Sequence, residues 1–241
     1  MSETKITESS RRNKNVLYIY SAVTETLAGM GAKSELISGK NRCELRICFD
    51  GAYKDMIFTE LADKISDVIA VNYKYDYFNK NVKISGLKES EHELLLTALI
   101  AADIEEDKKY AQKRLRSFDE FAIDGIFNFR MKPLKEKWSE ICGYIPQEFR
   151  EGQLRDFIGY LIKDRSGKRV FYENGNVYDK KFNLLKRREL ISDGDNLGVV
   201  KEILLSGAGE VELSGKVAEK DEKYLKEFYG EKVYFSENYF I

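Results

Sequence analysis

The chain has 241 residues, 40 Lys+Arg against 41 Asp+Glu, a formal net charge of −1 and 43% apolar residues. This balance excludes a whole-chain field that would draw the protein to phosphate backbones or anionic membranes. The apolar share excludes disorder throughout.

The densest apolar run, Leu94-Leu95-Leu96-Thr97-Ala98-Leu99-Ile100-Ala101-Ala102, is shorter than the ~20 residues a membrane helix needs. The polar N-terminus carries no apolar segment of a secretory signal. Cys43, Cys48 and Cys142 make no disulfide framework. A soluble protein of the reducing cytoplasm is expected.

In chain order, residues 1–14 read as a disordered, mildly basic arm. Val16-Leu17-Tyr18-Ile19-Tyr20 is β-branched and aromatic and reads as a strand. Residues 21–39, with Gly29, Gly31 and Gly39, read as a short helix or loop. Residues 44–50 alternate polar and apolar, as a half-buried strand does. A helix follows over about 54–78, with Phe58, Leu61, Ile65, Val68 and Ile69 on one face. Residues 81–85 read as a short strand.

Ser90-Glu91-His92-Glu93 has the pattern of a capping box with Ser90 as N-cap. It opens a helix to about Leu115. A second such pattern, Ser117-Phe118-Asp119-Glu120, predicts a very apolar helix through Met131, buried on most sides at the centre of the fold. Pro133 suits a helix start. Leu134, Trp138, Ile141, Ile145 and Phe149 continue that face, and Gly143 and Pro146 weaken or end it.

Leu154, Phe157, Ile158, Leu161 and Ile162 fit a helix. Residues 169–178 read as a hairpin around Asn174-Gly175. A short amphipathic helix is expected from about Asp195 to Leu205, a strand at 210–214, a helix at 220–229 and a strand at 232–235. The fold class is therefore α+β: a disordered arm at 1–14, an α/β N-terminal part at 15–87, a buried helical core at 88–165 and a small β-rich α/β part at 166–241. These parts either share one core or stand as separate domains.

No chemistry-bearing constellation emerges. His92, the single histidine, falls in a first helical turn with no nucleophile beside it. Cys43 and Cys48 lie five apart on a strand, so they face opposite sides and cannot chelate one metal. Ser206-Gly207-Ala208-Gly209 follows a helix and precedes a strand, the reverse of a phosphate loop, so Gly207 reads as a helix C-cap. Asp103, Glu105, Glu106 and Asp107 lie beside Lys108 and Lys109 and read as solvated helix pairs.

No catalytic residue, cofactor or metal site is expected. The basic clusters at Lys108, Lys109, Lys113, Arg114 and Arg116, and at Lys186, Arg187 and Arg188, read first as solvated faces. A nucleic-acid interface on helix 108–116 is the alternative. An enzyme assembled from scattered residues such as Glu148, Tyr160 and Arg165 is the third reading.

Asp124, Gly125 and Arg130 are the odd members of the apolar helix. A glycine there costs ~1 kcal/mol against alanine and suits close helix approach. Arg130 reads as a clamp to a carboxylate, or as the residue that holds a partner's acidic group. Ile123-Asp124-Gly125-Ile126-Phe127-Asn128-Phe129-Arg130-Met131-Lys132 resembles the signature of the YtxC-like sporulation protein family. The resemblance spans residues 44–216, and its matched motif positions are Asp124, Gly125, Phe129 and Arg130. It implies a cytoplasmic protein of spore-forming Firmicutes linked to sporulation, with no catalytic residues to carry over. The expectation is a non-enzymatic interaction or scaffold protein with a protein partner and no membrane association, with nucleic acid the less favoured partner.

Overall fold

The computed structural model describes residues 2–149, 152–163, 165, 167–191 and 197–236. The chain is an α+β protein with N-terminal strands and helices, a central helical block and a small C-terminal sheet. It divides into two compact units, Met1–Lys74 with Glu105–Gly143, and Tyr75–Ile104 with Tyr144–Ile241. The boundaries expected at 87/88 and 165/166 both fall inside the second of these units.

The first unit is built on β1 (Ser2–Ser9), β2 (Lys33–Ser38), β3 (Arg42–Phe49) and β4 (Phe121–Ala122), in the order β2-β3-β1-β4. β3 runs antiparallel to both β1 and β2, and β4 lies parallel to β1. β1 corrects the expected disordered arm. Thr4, Ile6 and Glu8 form its buried stripe. The two polar members are satisfied inside, so a polar sequence holds an inner strand.

The expected strand at 16–20 lies within α1 (Asn13–Gly29). Val16, Ile19, Val23 and Leu27 make one buried helical stripe that outweighs the local β-preference. α1 packs against β1, β2, β3 and α2 (Lys54–Asp67). The expected helix over 54–78 is present. It continues through a π-helical segment, Val68–Tyr73, all six residues of which are buried, into α3 (Lys74–Asn81).

Residues 81–85 do not form a strand; Ser85 makes one isolated bridge to Glu148. α4 (Glu89–Leu115) begins one residue before the expected cap, with non-helical angles at Asp103. The Lys88 N–H, not that of Ser90, donates to the Glu91 carboxylate at 2.9 Å, so this contact sits two residues earlier than the expected one. The second expected capping box starts no helix. Its residues lead into β4, and α5 (Ile123–Arg130) begins after it. α6 (Lys132–Tyr144) buries Leu134 and Trp138 and stops after Gly143.

The second unit carries a sheet in the order β7-β6-β5-β8-β9. Its strands are β5 (Arg169–Glu173), β6 (Asn176–Tyr178), β7 (Leu184–Leu185), β8 (Glu210–Ser214) and β9 (Val233–Ser236). Asn174 and Gly175, with φ of 49° and 86°, make the hairpin turn between β5 and β6. β8 lies parallel to β5 and β9.

α7 (Gln153–Lys163) packs on α9 (Glu219–Tyr229), which packs on α8 (Gly198–Ser206). Asp195, the expected start of α8, lies outside the described residues. α8 is not amphipathic in its setting: Gly198 through Leu205 are all buried, Lys201 and Glu202 included. Lys201 Nζ lies 2.5 Å from Glu93, and Glu202 accepts the N–H groups of Arg187 and Arg188 at 3.1 and 2.7 Å. Gly207 caps α8 in the left-handed conformation, with φ of 70°. Among the described residues no helix is long and apolar enough to cross a membrane.

Candidate functional site

α5 leaves β4 where that strand pairs with β1, so its first turn faces the edge of the sheet. Ile123, Ile126 and Phe127 are buried. Arg42 on β3 grips Asp124 with both prongs, Nη2 to Oδ1 at 2.8 Å and Nη1 to Oδ2 at 3.2 Å, and Nη2 also donates to Thr7 Oγ1 at 3.1 Å. The Gly125 N–H donates to Asp124 Oδ1 at 2.9 Å. Burial alone would push this carboxyl up. The Arg42 fork and the Gly125 N–H outweigh it and hold Asp124 below the usual carboxylate range. A carboxylate in a first helical turn also suits the helix dipole.

The other end of α5 faces outward. Asn128, Phe129 and Arg130 are exposed, and Phe129 is 84% exposed. Arg130 makes no hydrogen bond or ion pair with any described residue, so it is not the clamp; Asp124 with Arg42 is. Lys135 Nζ donates to the Asn128 carbonyl at 3.1 Å, and exposed Lys132 lies 3.4 Å from Glu136. The exposed Phe129 ring therefore stands beside Arg130 in sequence on a short helix that an ion pair and an apolar underside hold in place.

A polar cluster lies beneath, in the core of the same unit. Glu8 is fully buried and accepts the Tyr73 hydroxyl at 2.7 Å, the Ser9 N–H at 2.9 Å and, weakly, Asn15 Nδ2 at 3.4 Å. Burial pushes the Glu8 carboxyl up against these hydrogen bonds, and the Asp124 charge adds to the rise. Asn15 Nδ2 also donates to Asn72 Oδ1 at 3.1 Å. The Arg12 guanidinium sits 4.2 Å over the Tyr73 ring, and the Phe127 ring lies 4.2 Å from it on α5. Asn72 and Tyr73 belong to the π-helical segment, a distortion frequent at functional sites. Composition gave no signal for this cluster. β1 is polar at every position except Ile6, so alternation did not single out Glu8.

The expected site residues thus separate. Asp124 points to the sheet, while Phe129 and Arg130 point out. Gly125 has no close helix neighbour: a Cβ there would meet only the Ala122 Cβ, at 3.7 Å. Asp107, expected to be solvated, is fully buried and accepts from Lys74 Nζ at 2.7 Å, Trp138 Nε1 at 2.8 Å and Lys137 Nζ at 2.9 Å.

Lys108 turns inward onto Asp67 and Asp63, at 2.8 and 3.0 Å. Arg187 and Arg188 donate to the carbonyls of Leu205 and Gly175. Arg165 donates to the carbonyls of Leu204 and Ala101. Glu148 and Tyr160 are exposed, and among the described residues no hydrogen bond or ion pair joins any two of Glu148, Tyr160 and Arg165. No cluster of three or more His, Cys, Asp or Glu among the described residues is placed to hold a metal ion.

The site defines an α+β protein with a pinned, outward-facing aromatic and arginine pair. No family model, curated protein or solved structure matches the chain.

Proposed function

We propose that this chain is a non-enzymatic cytoplasmic interaction protein that docks a protein partner on the exposed end of α5. The observation that carries the reading is Phe129, 84% exposed beside the unpaired Arg130 on a helix whose other end is held by Arg42. Aromatic and arginine side chains dominate binding energy where they enter a partner's pocket. A rigid support lowers the ordering cost of that insertion. The cations at Arg130, Lys132 and Lys135 favour an acidic rim on the partner. The resemblance of residues 123–132 to the YtxC-like signature supports a role in sporulation, because Phe129 and Arg130 are two of its matched positions.

The test is affinity capture from a sporulating host lysate, with and without nuclease. It compares wild type with the folded double variant Phe129→Ala, Arg130→Glu. The proposal predicts a nuclease-resistant protein partner bound at least ~30-fold more weakly by the variant, the loss expected of a hot-spot pair. Equal capture by both proteins would overturn it.

A further inference from the structure

We propose that the outer face of α4 and the hollow beside it form a second binding surface, for single-stranded nucleic acid. Lys109, Lys113, Arg114 and Arg116 are all exposed. None has a carboxylate within ion-pair reach among the described residues, whereas Lys108 on the same helix pairs with Asp67 and Asp63. Lys109, Lys113 and Arg116 follow i, i+4, i+7 spacing, so they line one side of the helix about 6 and about 4.5 Å apart along its axis. Arg114 lies 5.3 Å over the half-buried Tyr110 ring and donates to its hydroxyl, which holds that guanidinium flat against the helix.

The row ends at a hollow of about 630 Å³ that Arg116 also lines. Its walls include Phe58, Phe118 and Phe121, with Lys54 and Gln112 at the polar side. Phe58 and Phe118 are only half-buried; Lys54 Nζ lies 5.2 Å over the Phe58 ring, so Phe118 is the ring on which a base would stack. The acids there are largely neutralised: Asp119 lies 2.9 Å from Lys54, and Asp63 is 3.0 Å from both Lys64 and Lys108. Asp55 is the lining acid left without a cation among the described residues. Backbone phosphates on the cation row and a base against the Phe118 ring is the combination single-strand binders use. A duplex cannot offer the base.

The test is fluorescence anisotropy with labelled short oligothymidylate, and with a duplex of the same length. Four cations predict a log–log salt slope of about −3, or about fifty-fold weaker binding between about 50 and about 200 mM salt. The variant Lys109→Glu, Lys113→Glu, Arg116→Glu, checked for folding by circular dichroism, should lose at least tenfold in affinity and flatten the slope. Phe118→Ala should weaken binding about tenfold with the slope unchanged. No binding at low salt, a triple variant that binds like wild type, equal affinity for the duplex, or displacement by polyglutamate as effective as by unlabelled oligothymidylate would each overturn the proposal.

Discussion

Arg42 and Asp124, 82 positions apart, close a two-pronged ion pair that ties the start of α5 to the first residue of β3, an inner strand of the first sheet. Both side chains are partly exposed, 46% and 29%, so solvent screens the pair. A double-mutant cycle with Arg42→Ala and Asp124→Asn should therefore give a coupling of about 0.5–1 kcal/mol in denaturant unfolding. A coupling near zero would show that α5 is held by its apolar underside alone.

Lys74 and Asp107 present the opposite case, with both side chains fully buried. Removing one partner strands a charge in the core, so Lys74→Met should cost about 3–5 kcal/mol. Trp138→Phe leaves Asp107 two of its three donors and should cost about 1–2 kcal/mol. Urea unfolding of both variants checks the order, and a milder loss for Lys74→Met than for Trp138→Phe would contradict it.

Glu202 makes stability depend on pH. Burial pushes its carboxyl up to about 7 from an ordinary 4.5, against the two backbone N–H groups that favour the charge. The folded state therefore prefers the protonated form. Its contribution is full below 4.5 and is lost as pH rises through about 7, on the order of 3 kcal/mol in all. Burial raises Glu8 as well, so its slope has the same sign. Urea unfolding at about pH 5 and about pH 8 should show wild type weaker at the higher pH, and Glu202→Gln should flatten that difference.

Two glycines predict opposite outcomes. A Cβ on Gly209 would fall 1.9 Å from the Arg165 carbonyl oxygen, so Gly209→Ala must shift the backbone entering β8 and should cost about 2–3 kcal/mol. A Cβ on Gly125 would make only an ordinary contact with the Ala122 Cβ at 3.7 Å, so Gly125→Ala should raise stability by about 0.5–1 kcal/mol. Thermal unfolding of the pair separates a packing glycine from a replaceable one.

Elements whose apolar spacing matched their final burial were legible in the sequence. The hairpin at Asn174-Gly175, α7 and β8 stand where periodicity and turn chemistry put them. β1 was not, because two of its three buried residues are polar, and its stability comes from pairing with β3 and β4. α1 was misread because five β-prone residues hid a helical stripe that becomes visible only on reaching Val23 and Leu27.

The site was half legible. The sequence singled out Asp124, Phe129 and Arg130, but an apolar helix gave no hint that Phe129 faces water. Nor did it offer Arg42 as the partner of Asp124, since that contact exists only once β3 is in the sheet. Glu8, Asn15 and Tyr73 meet through three separate elements, and no local spacing joins them.

The most direct test of the central claim is site-specific photocrosslinking in sporulating cells, with a benzophenone side chain at position 129 and, as control, at the less exposed Tyr53. Phe129 is 84% and Tyr53 41% exposed on the same unit. The account predicts a discrete protein adduct from position 129 that disappears with Arg130→Glu and does not form from position 53. Adducts of equal yield from both positions, or none from position 129, would contradict it.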